Sequence, residues 1–204
     1  MRRQPNPEQR RLDLCDAAIQ LLADDGAKGV SHLKIDRKSG VPDGTTSFYF
    51  RTRSALLQAV GERVSELDLE ELQAATGAGS AATGRRPKTG ASGLATLVIR
   101  SATGDGLVRT KARNELALLA SRDPALEAAR KRYDERFFSL IRDAVMRLAE
   151  SDSDAALVDE QAYVVMMFIS GVLLAFASGD RTIRTAKQLD LIIGGIVAGV
   201  GGKS

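Results

Sequence analysis

The sequence is poor in the residues that build disulfides, metal sites and nucleophilic centres. It has one cysteine, Cys15, one histidine, His32, and no tryptophan. A single cysteine excludes a disulfide within the chain, and one cysteine with one histidine gives too few ligands for a zinc site. A glycine-rich phosphate loop is also absent, and the adjacent pair Ser31 and His32 cannot align as nucleophile and base. We therefore expect no metal, no cofactor and no enzymatic activity.

Apolar runs long enough to cross a bilayer are missing as well. The two longest apolar segments, residues 162–177 and 191–201, are shorter than the roughly 20 residues that a membrane-spanning helix needs. We predict that both are buried helices and that the protein has no membrane partner. The opening MRRQPNPEQRR has no apolar stretch after its basic residues, so we expect no secretory signal and a cytoplasmic location.

Apolar residues recur at helical spacing along most of the chain, without strand alternation of useful length. Asn6 and Pro7 predict the start of a first helix that Gly26 ends, and its apolar stripe is Leu12, Cys15, Ile19 and Leu22. Membership of this stripe favours a core role for Cys15. Later helices are predicted at residues 94–102, 108–120, 124–150, 159–177 and 185–200, and a flexible loop at residues 75–93. Asp123 is the predicted cap of the helix at 124–150. The fold class is all-α.

The excess positive charge lies in the first third of the chain, where two short helices are predicted. Residues 1–60 hold ten Lys and Arg against seven Asp and Glu, whereas the remaining residues hold nineteen of each. One short helix begins after its cap at Ser31, and a second runs from about Pro42 to Tyr49 or Phe50. Two short helices joined by a glycine-containing turn, after a packing helix, have the layout of a helix-turn-helix DNA-binding domain, here residues 1–53.

Several fixed spacings occur together in this segment. The run is Ser31-X3-Ile35-X4-Gly40-Val41-Pro42-Asp43-Gly44-Thr45-X3-Tyr49-Phe50-X2-Arg53-X2-Leu56-Leu57. It resembles the amino-terminal domain of the TetR family of bacterial transcriptional regulators. The match covers about fifty residues, and the rest of the chain is similar only in its helical layout. The resemblance implies that residues 54–204 form a larger helical domain for ligand binding and dimerisation.

A helix that enters the major groove exposes polar side chains and rests on an apolar underside. Ile35, Val41 and Phe50 can form that underside. Ser31 and Arg53 are placed to hold phosphates on either side. The residues expected to face DNA are Asp43, Gly44, Thr45, Ser47, Phe48 and Tyr49. For Phe48 and Tyr49, core packing is the alternative to a DNA contact.

Three positions depart from the family pattern. Asp36 stands where the family usually has alanine, Thr46 where it usually has leucine, and Ser47 where tyrosine is frequent. Asp43 is also unusual, because phosphates repel a nearby carboxylate. It either accepts a hydrogen bond from a base such as cytosine or only stabilises the start of the helix. These departures keep a second function open, an all-helical interaction or ligand-sequestering module that has lost DNA binding.

The two apolar segments near the end of the chain predict a dimer interface. Residues 162–177 are apolar nearly all round, and glycines in the last helix permit close approach of a second helix. The interface residues that we predict are Val172, Phe176, Ile192, Gly195, Ile196 and Gly199. An intermolecular four-helix bundle, which the family resemblance also implies, would make the protein a homodimer; a purely intramolecular core helix is the alternative.

The family resemblance further implies a pocket for an unknown small-molecule effector. Candidate lining residues are Leu97, Arg100, Leu116, Leu119, Tyr133, Phe137, Met166 and Met167. Stripes of this kind also occur as plain core. Together these features predict a TetR-like repressor that binds a palindromic operator as a dimer and is released by its ligand, with the long helix from about Arg53 to Gln73 carrying the change.

Overall fold

The computed structural model of this chain describes residues 6–76, 92–148 and 154–200, and these residues contain helices and no strands. The helices are α1 (Pro7–Gly29), α2 (His32–Lys38), α3 (Thr45–Tyr49), α4 (Arg53–Thr76), α5 (Ser92–Arg100), α6 (Gly104–Ala120), α7 (Pro124–Met146), α8 (Ala155–Ala177) and α9 (Ala186–Gly199). The all-α prediction is confirmed. The loop predicted at residues 75–93 lies almost entirely outside the described residues.

Helix α1 begins where the sequence predicts but ends later. The Asn6 side chain accepts a hydrogen bond from the Glu8 amide at 3.2 Å, as a helix cap does. Gly26 kinks the helix, with φ 67° and ψ −171°, and does not end it. The Glu115 carboxylate accepts a hydrogen bond from the Ala27 amide at 2.8 Å, which satisfies a donor that the kink removes from the helical ladder.

The described helices form two compact units, each with its own apolar core. The first unit contains the described residues up to Leu67 together with Val108–Arg132. The second contains the described residues of Asp68–Leu107 and of Tyr133–Ser204. The observed units therefore do not divide at residue 53, because the first one also takes in the start of α4, most of α6 and the start of α7.

The core of the first unit explains this extension. Its buried apolar residues are Leu14, Cys15, Ala18, Ile19, Leu21, Leu22, Val30, Ile35, Phe50, Leu56, Leu57, Val60, Val64, Ala112, Ala120 and Leu126. Seven of them come from α4, α6 and α7, between Leu56 and Leu126, so these helices cover apolar surface that α1, α2 and α3 leave open. An ion pair from Arg63 to Asp16 at 2.9 Å further ties α4 to α1.

The start of α7 is fixed to the start of α4. Asp123 accepts hydrogen bonds from the amides of Ala125 and Leu126 at 3.0 and 3.3 Å, which confirms it as the predicted cap of α7. Its second carboxylate oxygen accepts a hydrogen bond from the Ser54 hydroxyl at 2.8 Å. These hydrogen bonds, above all the one from Ser54, hold the pKa of the Asp123 carboxyl below its usual value.

The second unit packs α5, α8 and α9 around a core that includes the end of α7. Gln161 of α8 is buried, and its amide donates hydrogen bonds to the Val197 and Val200 carbonyls at 2.8 and 3.2 Å, which tie α8 to the end of α9. Among the described helices, α8 alone is long and apolar enough to cross a membrane, with 23 residues and a mean hydropathy of 1.7 in its most apolar window. The helix is longer than the charge-free segment 162–177, because it begins before Asp159 and Glu160. A single helix of this kind is also common in the cores of soluble proteins.

Candidate DNA-binding surface

The segment from Ser31 to Phe50 forms two short helices around a glycine-rich turn. The Ser31 hydroxyl accepts a hydrogen bond from the Lys34 amide at 3.3 Å and caps α2. Gly40 ends α2 with a φ of 64°, and Gly44 precedes α3 with a φ of 95°. Both values lie in the left-handed region that favours glycine. The second helix therefore starts at Thr45, three residues later than predicted.

A buried carboxylate holds the start of α3. Asp36 is 1% exposed, and its Oδ2 accepts a hydrogen bond from the Gly44 amide at 2.7 Å. Its Oδ1 accepts from the Thr46 amide at 2.7 Å and from the Thr46 hydroxyl at 2.5 Å. Thr46 is fully buried. Two of the three residues that depart from the family pattern are thus partners of each other, and Asp36 serves as the cap that α3 lacks at its own N-terminus.

The other end of α3 is held by three contacts. The His32 ring forms a hydrogen bond with the Phe50 carbonyl at 2.8 Å. Arg11 donates a hydrogen bond to the Tyr49 carbonyl at 3.3 Å, and its guanidinium lies 4.7 Å from the centre of the Phe50 ring. Phe50 and Ile35 are buried below α3, so the predicted apolar underside is confirmed for these two residues. His32 is therefore a structural residue.

The outward face of α3 carries little hydrogen-bonding capacity. Ser47 is exposed, and Phe48 is 76% exposed, which rules out core packing for its ring. The Thr45 hydroxyl donates a hydrogen bond to the Pro42 carbonyl at 2.6 Å. Tyr49 is half-buried, and its ring meets the Phe48 ring edge to face at 5.3 Å. Asp43 and Gly44, in the turn before the helix, are both exposed.

Arg53 has a different environment from the one that a phosphate contact implies. Its guanidinium donates hydrogen bonds to the carbonyls of Ala27 and Val30, and so caps the C-terminal end of α1. The sequence could not distinguish this role from a phosphate contact. Two other exposed arginines are Arg37 on α2 and Arg51, two residues after α3, and their side chains make no hydrogen bond or ion pair within the described part of the chain.

The remaining cations of α2 are paired. Lys34 lies 3.5 Å from Asp25, and Lys38 lies 3.3 Å from Asp24. Both pairs are solvent-exposed and therefore weak. The sequence alone does not single out Arg37 or Arg51, because whether a cation has a partner depends on where the fold places the nearby carboxylates.

The predicted pocket residues are divided between the two units. Leu116 and Leu119 pack against the core of the first unit, whereas the six others belong to the second unit. Among those six, Arg100 is exposed, and Met167 is 48% exposed, so neither points inward. The half-buried candidates of the second unit are Leu97, Tyr133, Phe137 and Met166. Phe137 and Met166 pack against the core of this unit, and the rings of Tyr133 and Phe137 stack at 6.0 Å.

The predicted dimer residues need a similar correction. Val172 and Phe176 are 6% and 2% exposed, because they pack inside the core of their own unit. Ile192 and Ile196 are half-buried, and Gly195 and Gly199 are exposed. The outward side of α8 and α9 instead carries Tyr163, Val164, Met167, Gly171, Leu174, Leu191, Gly195, Ala198 and Gly199, which we call the outer face. An apolar helix such as α8 gives no signal for which side faces the core.

Cys15 has the environment of a structural residue. It is 3% exposed, and its burial raises the pKa of the thiol to about 12. A thiol that stays protonated is a poor nucleophile, which agrees with the core role predicted from its stripe. Within residues 6–76, 92–148 and 154–200, no group of three or more His, Cys, Asp and Glu side chains could hold a metal ion.

The fold is shared with known regulators of bacterial transcription. A transcriptional regulator from Rhodococcus sp. Rha1 superposes with a TM-score of 0.71 and 14% identity, over 93% of this chain and 95% of that one. A TetR-family member from Streptomyces coelicolor A3 gives 0.68 and 22%, over 92% and 98%. The multidrug binding protein EbrR, complexed with ethidium, gives 0.64 and 22%, over 94% and 99%. No protein-family model and no curated protein matches the sequence.

The chain therefore has the fold of TetR-family transcriptional regulators, as the motif between Ser31 and Leu57 indicates. The likeness extends over nearly the whole chain, including the second unit, where the sequence offered only helical periodicity.

Proposed function

We propose that this protein is a TetR-like transcriptional repressor that binds a palindromic DNA operator as a homodimer in the cytoplasm. The observation that carries the proposal is the exposed face of α3, held on both ends and flanked by arginines with no partner in the described chain. A short helix that is anchored from beneath and bordered by free positive charge suits the major groove of DNA.

The phosphate contacts come from Arg37 and Arg51, with Ser31 and Tyr49 beside them. Both arginines are exposed and unpaired in the described residues, so they can neutralise phosphates without breaking an ion pair. Arg53 contributes indirectly, because it fixes the end of α1 against the start of α4. Asp43, Gly44, Thr45, Ser47 and Phe48 then face the bases.

The alternative function, a helical module without DNA binding, loses part of its support. It rested on Asp36, Asp43 and Ser47, and Asp36 now has a structural role, because its carboxylate bonds Gly44 and Thr46 and stabilises α3. Ser47 removes a tyrosine but leaves a small hydroxyl that is fully able to approach the groove.

The dimer would form through the outer face of α8 and α9. A helix-turn-helix protein needs two copies to place its reading helices one turn of DNA apart, about 34 to 36 Å. Large apolar side chains of the outer face are exposed in the single chain, including Leu174 at 56% and Leu191 at 70%. Contiguous exposed apolar residues mark an interaction surface.

Gly195 gives a sharp test of this interface. A Cβ atom added there meets no atom within 4 Å in the single chain. Gly195→Gln should therefore leave the protomer folded but abolish the dimer, whereas Lys187→Gln, an exposed change on the same helix, should leave the dimer intact. Analytical ultracentrifugation distinguishes the two states. A dimer unaffected by Gly195→Gln would place the interface elsewhere.

The effector would bind in the second unit, near Leu97, Tyr133, Phe137 and Met166. These residues are half-buried, and two of them present stacked aromatic rings suited to an apolar or cationic ligand. Helix α4 belongs to both units and would carry the ligand-linked change. A coupling of about 1 to 3 kcal/mol gives a 5- to 150-fold loss of operator affinity.

The decisive experiment selects duplexes from random DNA with the full chain and measures affinity against salt. We expect one palindromic sequence to be enriched, with affinity falling steeply as salt rises. A matched control is the chain with Arg37→Ala and Arg51→Ala, which should lose binding and keep its fold by circular dichroism. Binding that is absent at low salt, or equal for all sequences, would contradict the proposal. Compounds that release the selected duplex would then identify the effector class.

A further inference from the structure

The reading helix α3 lacks the side chains that recognise purines through paired hydrogen bonds. Its five residues are Thr45, Thr46, Ser47, Phe48 and Tyr49, with no Arg, Lys, Asn or Gln among them. Those four residue types form the usual two-bond contacts with guanine and adenine in the major groove. Specificity of α3 must therefore come from another kind of contact.

Two of the four hydroxyl groups on α3 are already used. The Thr46 hydroxyl donates to Asp36 in the buried interior, and the Thr45 hydroxyl donates to the Pro42 carbonyl. Ser47 keeps an exposed hydroxyl. The Tyr49 hydroxyl belongs with the proposed phosphate contacts. The Ser47 hydroxyl can pair with either a donor or an acceptor, so it discriminates poorly between bases.

The largest free group on α3 is the Phe48 ring. It is 76% exposed, although burial of such a ring is strongly favourable. The Phe48 amide donates to the Gly44 carbonyl at 3.1 Å in the first turn of α3, and the Tyr49 ring packs against the Phe48 ring edge to face, with centroids 5.3 Å apart. A large apolar side chain is thus held in water at the middle of the reading helix.

The surroundings of this ring indicate what covers it. Arg51 follows α3, and Arg37 lies on the neighbouring helix α2; both are exposed and unpaired in the described chain. An exposed apolar ring on a segment that also carries unpaired cations favours a polyanion with apolar groups over an apolar protein surface. In the major groove of DNA, the apolar element at the base edges is the 5-methyl group of thymine.

We propose that Phe48 is the principal specificity-determining residue of α3 and that it reads the thymine 5-methyl group. This inference rests on the proposed DNA-binding function. Each half-site of the operator then contains one thymine whose methyl group packs on the Phe48 ring and leaves water. Removing that methyl weakens binding about fourfold per half-site, and about sixteenfold when both half-sites lose it.

The test replaces thymine by uracil, which removes only the 5-methyl group, at each position of the selected duplex. Affinities are measured by fluorescence anisotropy at one fixed salt concentration. We expect one symmetric pair of thymines whose replacement by uracil lowers the affinity of the unaltered protein about sixteenfold. The same replacement should not change the affinity of Phe48→Ala. Phe48→Leu should keep part of the sensitivity, because its side chain is still apolar.

Ser47→Ala is the matched control, since Ser47 is the exposed neighbour on the same helix. Because Ser47 also faces the bases, its removal lowers the overall affinity, but the ratio of the affinities for the thymine and uracil duplexes should stay at its full value. The inference is overturned if the unaltered protein binds its selected duplex equally well with every thymine replaced, or if Phe48→Ala remains as sensitive as the unaltered protein. Either outcome leaves the proposed function standing, whereas failure to select any duplex refutes that function itself.

Discussion

Removal of the Asp36 carboxylate should destabilise the first unit strongly. Asp36→Ala deletes an acceptor that takes three hydrogen bonds, from the Gly44 amide and from the amide and hydroxyl of Thr46. Gly44 is exposed, so water can replace the lost acceptor there. Thr46 is fully buried, so its two donors stay unsatisfied.

The expected magnitude follows from these three bonds. Each buried donor without a partner costs about 1 to 3 kcal/mol, and the desolvation of the carboxylate itself offsets part of the loss. We expect Asp36→Ala to lower the free energy of unfolding by about 3 kcal/mol. In a unit of this size that corresponds to a fall in Tm of roughly 12 °C or more.

A double-mutant cycle with Thr46→Val isolates the pair. Valine has nearly the shape of threonine but no hydroxyl, so the double variant contains one unsatisfied donor fewer than Asp36→Ala alone. The coupling free energy should be about 1 kcal/mol. Ser47→Ala, an exposed change on the same helix, should stay within about 0.5 kcal/mol of the unaltered protein.

The assay is urea unfolding followed by circular dichroism, with hydrogen exchange of residues 44–50 to report on the first unit alone. The Thr46 amide should exchange faster in Asp36→Ala than in the unaltered protein. A loss below about 0.5 kcal/mol for Asp36→Ala, or a coupling within 0.5 kcal/mol of zero, would refute the reasoning. The experiment needs no DNA, so it is independent of the proposed function.

Two further predictions concern Arg51, Arg53 and Cys15. Arg51→Ala should weaken all duplexes about equally and leave unfolding unchanged, and it should lower the salt slope of binding by about 1 per protomer, hence about 2 for the dimer. Arg53→Ala should instead lower the free energy of unfolding by about 1 kcal/mol, and equal effects of the two changes on both quantities would contradict these roles. For Cys15, the unfolded chain releases the thiol proton near the ordinary pKa of 9.0, while the folded chain holds it until about 12. The free energy of unfolding should therefore fall as pH rises through this range, by at most about 1.4 kcal/mol per pH unit. Urea unfolding measured at each pH should show a shallower fall in Cys15→Ala, and identical slopes in the two proteins would refute the prediction.

Local sequence features predicted the helices and the apolar underside of α3. The stripe around Cys15 and Ile19, the Asn6 cap and the Asp123 cap act through neighbouring residues, so their spacing along the chain carries the information. The start of α3 was placed too early, because Pro42 can begin a helix but here remains in the turn.

Contacts between distant residues could not be predicted in the same way. Asp36 and Thr46 each looked like a departure from a pattern, and only the fold brings them within 2.7 Å. Arg53 sits 23 residues from the Val30 carbonyl that it bonds, so its spacing suggests nothing about a helix cap. The face of α8 was misplaced at Val172 and Phe176, because a helix that is apolar nearly all round has no periodic signal to orient it.

The chemistry of α3 makes the proposed regulator unusually dependent on its second unit. A two-bond contact between arginine and guanine discriminates by about 1 to 3 kcal/mol, but α3 has no residue that can form one. A methyl contact contributes less than 1 kcal/mol, so a single copy would bind its half-site only slightly better than other DNA. Dimerisation adds the discrimination of the two half-sites and brings two sets of phosphate contacts to one duplex. Disruption of the outer face at Gly195 should therefore abolish selective binding while weak, salt-sensitive binding to all duplexes persists.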